Sequence, residues 1–159
     1  VANGSLEDRG ARAGYEAVRL RLAQGQVAEA EEQALVLAQR APFAAPAERW
    51  FIEAHQFRID TEGGIGRPTP EGAHRDGVDL VAVFLVDREG VKGGETRIFE
   101  ATGPNGQRFT LSEPWSVMLL DDARMIHETT PIQPDGEHGW RDTLVLTCRR
   151  DGFLEDAGQ

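Results

Sequence analysis

Two hydrophobic periods divide the chain. Between Ala11 and Gln39 the apolar positions Tyr15, Val18, Leu20 and Leu22, then Val27, Leu35, Val36 and Leu37, lie among Arg, Glu and Gln. This pattern predicts two amphipathic helices, at 11–23 and 27–39, with Gly25 as the break and Pro42 and Pro46 ending the second. After Arg49 the Ala-rich composition gives way to short runs of Val, Ile, Phe and Thr interrupted by Gly and Pro. These runs predict strands at Trp50–Asp60, Asp79–Asp87, Glu95–Glu100, Gln107–Leu111, Ser116–Asp121, His127–Ile132 and Asp142–Cys148. Gly90, Gly93 and Gly94 are expected to close a hairpin over Asp87–Gly94, and Pro104-Asn105-Gly106 to form a second turn. The chain thus reads as one mainly β domain, with a helical support region at 1–49 and a sandwich or jelly-roll core at 50–159. Residues 1–10 are polar and aperiodic, as in a frayed terminus.

Composition narrows the function classes. The 159 residues, 40 % hydrophobic and 28 % charged, are ordinary for a globular domain able to bury a core. A formal net charge of −10 argues against nucleic acid or an anionic membrane as partner. Cys148 is the only cysteine, so no intrachain disulfide can form. The first thirty residues lack the apolar core of a signal peptide, and no run of eighteen apolar residues occurs, so a cytoplasmic location is expected. Oligomeric state is left open.

The candidate chemistry begins in PEGAHRDGVD, residues 70–79, where His74 and Asp76 stand at i and i+2 before a long apolar run. Extended residues at that spacing point the same way and can grip one ion. Chance alone supplies a His-x-Asp pair in about one chain in three of this composition. The context adds weight: a Gly/Pro-rich approach, a strand behind it, and His127 before a later strand. Two imidazoles and a carboxylate form the 2-His-1-carboxylate set that leaves about three positions of an octahedral Fe(II) open. Convergence of residues 74, 76 and 127 is expected to need the strand after Asp76 and the strand around His127 to be neighbours. On the strand that follows, alternation puts Arg141 and Thr143 on one face and Asp142, Leu144 and Leu146 on the other. Arg141 and Thr143 could bind one carboxylate together; a surface ion pair of Arg141 with Asp142 or Glu137 is the competing reading. Asp121 and Asp122 are expected to brace the backbone, Cys148 to pack in the core, His55 to be a buried imidazole and His138 to be exposed. The same ligand types could hold Zn²⁺ for hydrolysis, or a metal serving only to pin a non-catalytic binding module.

From His55 to Arg149 the chain resembles the Fe(II)/2-oxoglutarate-dependent dioxygenases of the bacterial type that includes the isoleucine and related free amino acid hydroxylases. The residues that carry the likeness are HQFRI (55–59), PTPEGAHRDGVDLV (68–81), GGE (93–95), LLDDARMIH (119–127) and WRDTLVLT (140–147). Trp140 stands where Tyr is commoner, and the N-terminal portion is shorter than is usual for such enzymes. The resemblance implies a double-stranded β-helix, iron held by His74, Asp76 and His127, and the far carboxylate of 2-oxoglutarate held by Arg141. It also implies O2 as oxidant, succinate and CO2 as products, and a small aliphatic L-amino acid as substrate; a peptide or carrier-bound substrate is the alternative. Gln56, Arg58 and Arg67 are candidates to meet a substrate carboxylate or the cosubstrate, and Glu95 or Glu71 to meet an ammonium.

Overall fold

The computed structural model describes residues 50–153, together with Val36. The helices expected at 11–23 and 27–39 lie outside the described residues apart from Val36. From residue 50 onward the chain is built of strands: β1 Phe51–Asp60, β2 Leu80–Glu89, β3 Val91–Gly93, β4 Thr96–Glu100, β5 Gly106–Phe109, β6 Val117–Asp121, β7 Met125–Thr129, β8 Ile132–Pro134 and β9 Trp140–Arg149. They form a four-stranded sheet in the order β1-β9-β2-β6, a three-stranded sheet β5-β4-β7 and a two-stranded ribbon β3-β8. Every pairing is antiparallel. Consecutive strands change sheet repeatedly, β2 to β3, β5 to β6 and β6 to β7, which is the winding of a jelly roll.

The residue pattern explains the layering. β2 and β9 occupy the interior of the large sheet; β2 is apolar on both faces over residues 80–86, whereas β9 is apolar on the face of Leu144 and Leu146 and carries Arg141, Thr143 and Thr147 beside Val145 on the other. Ala82, Phe84, Leu144 and Leu146 pack with Trp115 on one face. Val81, Leu85, Met118 and Leu120 pack on the other with Val78 and Leu111, against Ile98, Phe109 and Met125 from the three-stranded sheet. This second cluster is the core between the sheets, and it floors the site described below.

Two local expectations fail for identifiable reasons. The stretch Asp87–Gly94 is not a hairpin, because β2 and β4 belong to different sheets and Val91–Gly93 pairs with β8. Gly90 and Gly93 have φ of 61° and 82°, and a Cβ there would meet a backbone carbonyl oxygen at 2.7 Å and 2.5 Å respectively. These glycines therefore let the ribbon approach its neighbours closely while the chain changes sheet. The expected strand His127–Ile132 is split into β7 and β8 at Thr130-Pro131, where proline has no N–H to give a ladder. The turn at Pro104-Asn105-Gly106 forms as expected between β4 and β5, closed by Glu100 N–H to Asn105 O at 3.0 Å.

Candidate metal centre and cosubstrate pocket

Residues 61–79 connect β1 to β2 and carry two of the three candidate ligands. Thr69 anchors this loop: its hydroxyl donates to Thr129 O at 2.9 Å and accepts from Thr129 N–H at 3.1 Å. Five residues on, the His74 N–H donates to His127 O at 3.0 Å and the His127 N–H donates to His74 O at 2.9 Å. This isolated pair of bonds, not a pairing of whole strands, brings the two histidines together. β2 and β7 lie in different sheets, so the expectation that they be neighbours is corrected.

The side chains then converge. The imidazole rings of His74 and His127 are 4.6 Å apart. Asp76 reaches both, Oδ1 lying 3.5 Å from His74 Nε2 and Oδ2 3.7 Å from His127 Nε2. One ligand atom from each residue lies within 4.8 Å of the others. Atoms about 3 to 4 Å apart can share an ion that sits about 2.1 Å from each. His74 Nδ1 is 3.0 Å from Gly72 O, which assigns the ring proton to Nδ1 and leaves Nε2 free to ligate. Burial pushes the His127 pKa down against the opposing charge of Asp76, favouring the neutral ring a metal requires.

Arg141 lies on the same cavity wall as Thr143, both buried, and both line a cavity of about 510 Å³ with His74, Asp76 and His127. Arg141 is 3 % exposed and, among the described residues, its Nε has no hydrogen-bond partner. Burial, with the nearby Arg88 cation, lowers its pKa to about 10. The competing reading, an ion pair with Asp142 or Glu137, does not hold. Asp142 points the other way and is bonded by Arg58 through Nε at 2.8 Å and Nη2 at 2.6 Å. Burying an unpaired cation costs several kcal/mol unless an anion reaches it. The donor set and this orphaned guanidinium therefore fit a metal ion and a carboxylate ligand side by side.

The remaining candidates divide by strand parity. β1 pairs with β9 so that Ile59 lies opposite Arg141, Phe57 opposite Thr143 and His55 opposite Val145. The odd-numbered residues Glu53, His55, Phe57 and Ile59 consequently line the cavity, and Gln56 and Arg58 do not. His55 is exposed there, not a buried core imidazole. Arg67 is exposed and off the cavity, and Glu95 is held by Arg97 Nε at 2.8 Å, also off it. Glu71 does line the cavity, its Oε1 3.3 Å from His74 Nδ1. His138 is exposed, and Cys148 is buried with its thiol pushed up to about 12 by burial, as suits a packed residue. Asp122 braces the backbone as expected, accepting hydrogen bonds from residues 76, 77 and 78.

A sequence profile of the family described as 2OG-Fe dioxygenase matches residues 10–147. The chain belongs to this family. The 2OG-Fe dioxygenases use Fe(II), 2-oxoglutarate and O2. Solved structures agree with the fold of this chain. It is 56 % identical to a bsmA homolog from Methylobium petroleophilum PM1, with a TM-score of 0.70, covering 79 % of this chain and 52 % of that one. IDO from Bacillus thuringiensis has a TM-score of 0.67 at 20 % identity, over 82 % of this chain and 59 % of that one. The Fe(II)/(alpha)ketoglutarate-dependent dioxygenase TqaL has a TM-score of 0.63 at 19 % identity, over 80 % and 55 %. The chain spans little more than half the length of these structures. No curated protein matches it. Among its described residues no helix is long and apolar enough to cross a membrane.

Proposed function

We propose that this chain is an oxygenase that hydroxylates a free aliphatic L-amino acid, with His74, Asp76 and His127 holding Fe(II) and Arg141 and Thr143 anchoring 2-oxoglutarate. The observation that carries the reading is Arg141, a buried cation with no anion beside it among the described residues, facing the same cavity as the His-Asp-His cluster. A carboxylate on Arg141 gains a charge-assisted hydrogen bond, and the Thr143 hydroxyl adds another. When bound, iron and 2-oxoglutarate supply the oxidising chemistry: one oxygen atom of O2 goes to the substrate carbon and the other to succinate, with loss of CO2. The chain's own residues bind, orient and exclude water. Val83, Met118 and Val145 give the cavity a dry wall, and no side chain has to act as a general base.

The amino acid reading is supported by the chemistry that β1 and the β1–β2 loop add to the cavity beside Arg141 and Thr143. Glu53 and Glu71 offer carboxylates to an ammonium, His55 offers a donor to a carboxylate, and Phe57 and Ile59 offer apolar surface to an aliphatic side chain. The test is anaerobic addition of Fe(II) and 2-oxoglutarate, watching for the visible charge-transfer band of the chelate. A screen of the twenty L-amino acids follows, read as succinate release and as a mass gain of one oxygen. A chelate band with no amino acid oxidised, while a peptide or carrier-bound amino acid is, would transfer the proposal to the larger substrate. No band at all would remove the oxygenase assignment.

A further inference from the structure

Asp122, in the turn between β6 and β7, is 1 % exposed, and among the described residues no cation pairs with it. Its Oδ1 accepts the N–H of Asp76 at 3.0 Å, and its Oδ2 accepts the N–H of Gly77 at 2.8 Å and of Val78 at 3.1 Å. In return the Asp122 N–H donates to Asp79 O at 3.3 Å. Three successive N–H groups can curl round one carboxylate because the chain turns at Gly77, whose φ is 75°. The segment carrying Asp76 is thus tied to the turn that leads, five residues later, to His127. The reciprocal backbone bonds between His74 and His127 form a second tie on the other side of the cluster. Asp122 is not itself one of the converging ligand atoms.

We propose that Asp122 is a positioning residue that forms the metal site before the metal arrives, by fixing the backbone from which Asp76 projects. This inference rests on the reading of His74, Asp76 and His127 as ligands. Outer carboxylates that orient ligands typically change metal affinity by about 10- to 100-fold when removed. Asparagine at 122 keeps one acceptor oxygen but turns an NH2 toward N–H donors, so at least one tie is lost and the negative charge with it.

The experiment is titration with Co(II), followed by visible absorption, of the unsubstituted protein, Asp122→Asn, Asp76→Ala and Asp79→Asn, with melting of each in metal-free form. Asp79→Asn breaks the surface ion pair of Asp79 with Arg150 and serves as a structural control. The expected result is Co(II) affinity about 10- to 100-fold weaker in Asp122→Asn, abolished in Asp76→Ala, and unchanged in Asp79→Asn even where its melting temperature falls. Unchanged affinity in Asp122→Asn with a lowered melting temperature would overturn the proposal while leaving the ligand reading intact. Unchanged affinity in Asp76→Ala would overturn both. Should Asp122→Asn not fold, amide exchange in the unsubstituted, metal-free protein decides. The N–H groups of residues 76, 77 and 78 are expected to be as protected as those of β2. Exchange as fast as that of Glu62 and Gly63 would show that the clamp does not exist before metal, and would overturn the proposal.

Discussion

A guanidinium held in a protein interior without a counter-charge opposes folding and favours any anion that can reach it. Among the described residues Arg141 has no such counter-charge, so its contributions to stability and to binding should have opposite signs. Arg141→Ala is expected to weaken 2-oxoglutarate by about thirtyfold to several thousandfold, the loss of about 2 to 5 kcal/mol typical when one partner of a buried charge pair is removed. Metal affinity should stay within a few-fold, and Arg141→Lys should recover only part of the loss, since an ammonium cannot make the planar fork. In the absence of 2-oxoglutarate, Arg141→Met should melt no lower than the unsubstituted protein. Calorimetric titration and thermal melting check the two halves; a large drop in melting temperature for Arg141→Met would mean that the guanidinium already has a partner. Cys148 gives a second prediction at this scale. Its thiol, pushed up to about 12 by burial, stays protonated in the fold. A group raised in the folded state stabilises fully below its unfolded value, so this contribution is lost as pH rises from about 9 towards 12. Alkylating reagents at pH 8 should therefore modify Cys148 only after denaturation, and labelling of the native protein at the denatured rate would contradict its burial.

At the level of elements, β1 separates what the sequence reveals from what it conceals. Alternation divides the strand into two sets, Glu53, His55, Phe57 and Ile59 against Gln56 and Arg58, and nothing in the strand itself says which set faces inward. The answer is the register with β9, which places Ile59 and Phe57 opposite Arg141 and Thr143, and register is a non-local property. The polar chemistry of Gln56 and Arg58 drew attention to the wrong face. Glu53→Gln and Phe57→Ala are accordingly expected to raise KM for the oxidised substrate by about tenfold or more with little change in 2-oxoglutarate affinity. Arg58→Ala, which removes an exposed pair with Asp142 and a cation–π contact over the Trp140 ring, both off the cavity, should leave both unchanged. Steady-state kinetics on the three variants checks this, and an Arg58 effect on KM larger than that of Glu53 would reverse the assigned face. The same contrast applies to the cluster. His74 and Asp76 were legible because their spacing is local, and Arg141 with Thr143 because one strand carries both. The link that joins His74 to His127 was not, because a single bridge between a loop and a strand has no periodic signature. β3 and β8 escaped for a related reason, three residues being too few to show a period.

Across the whole molecule, the core between the sheets is apolar and independent of any ion, and the cluster sits at its edge. Stripping the metal should therefore leave the β-sheet signal in circular dichroism while removing turnover, and Fe(II) but not Zn²⁺ should restore succinate formation. His74→Ala, Asp76→Ala and His127→Ala should behave as the stripped protein does even with excess Fe(II), and Asp76→Glu should be severely impaired. Full activity in any two of the alanine variants would dismantle the ligand assignment. Restoration by Zn²⁺ would favour hydrolysis over oxidation.

The strand order of the large sheet also bears on how the site comes into being. β9, the last of the described strands, lies in the sheet's interior between β1 and β2, and it alone carries Arg141 and Thr143. Until it is in place, β1 has no partner in the sheet, one wall of the cavity is absent, and β2 presents an open edge. Chain closure between residues some ninety positions apart must precede any competent pocket, which assigns this fold to the slower, non-local class of folding reactions. A ribosome-bound chain halted before residue 140 could display His74, Asp76 and His127 yet would have no grip on a dicarboxylate. On the proposed assignment, emergence of β9 is then the step at which a nascent polypeptide already carrying the three ligands also gains the residues that would grip the keto acid.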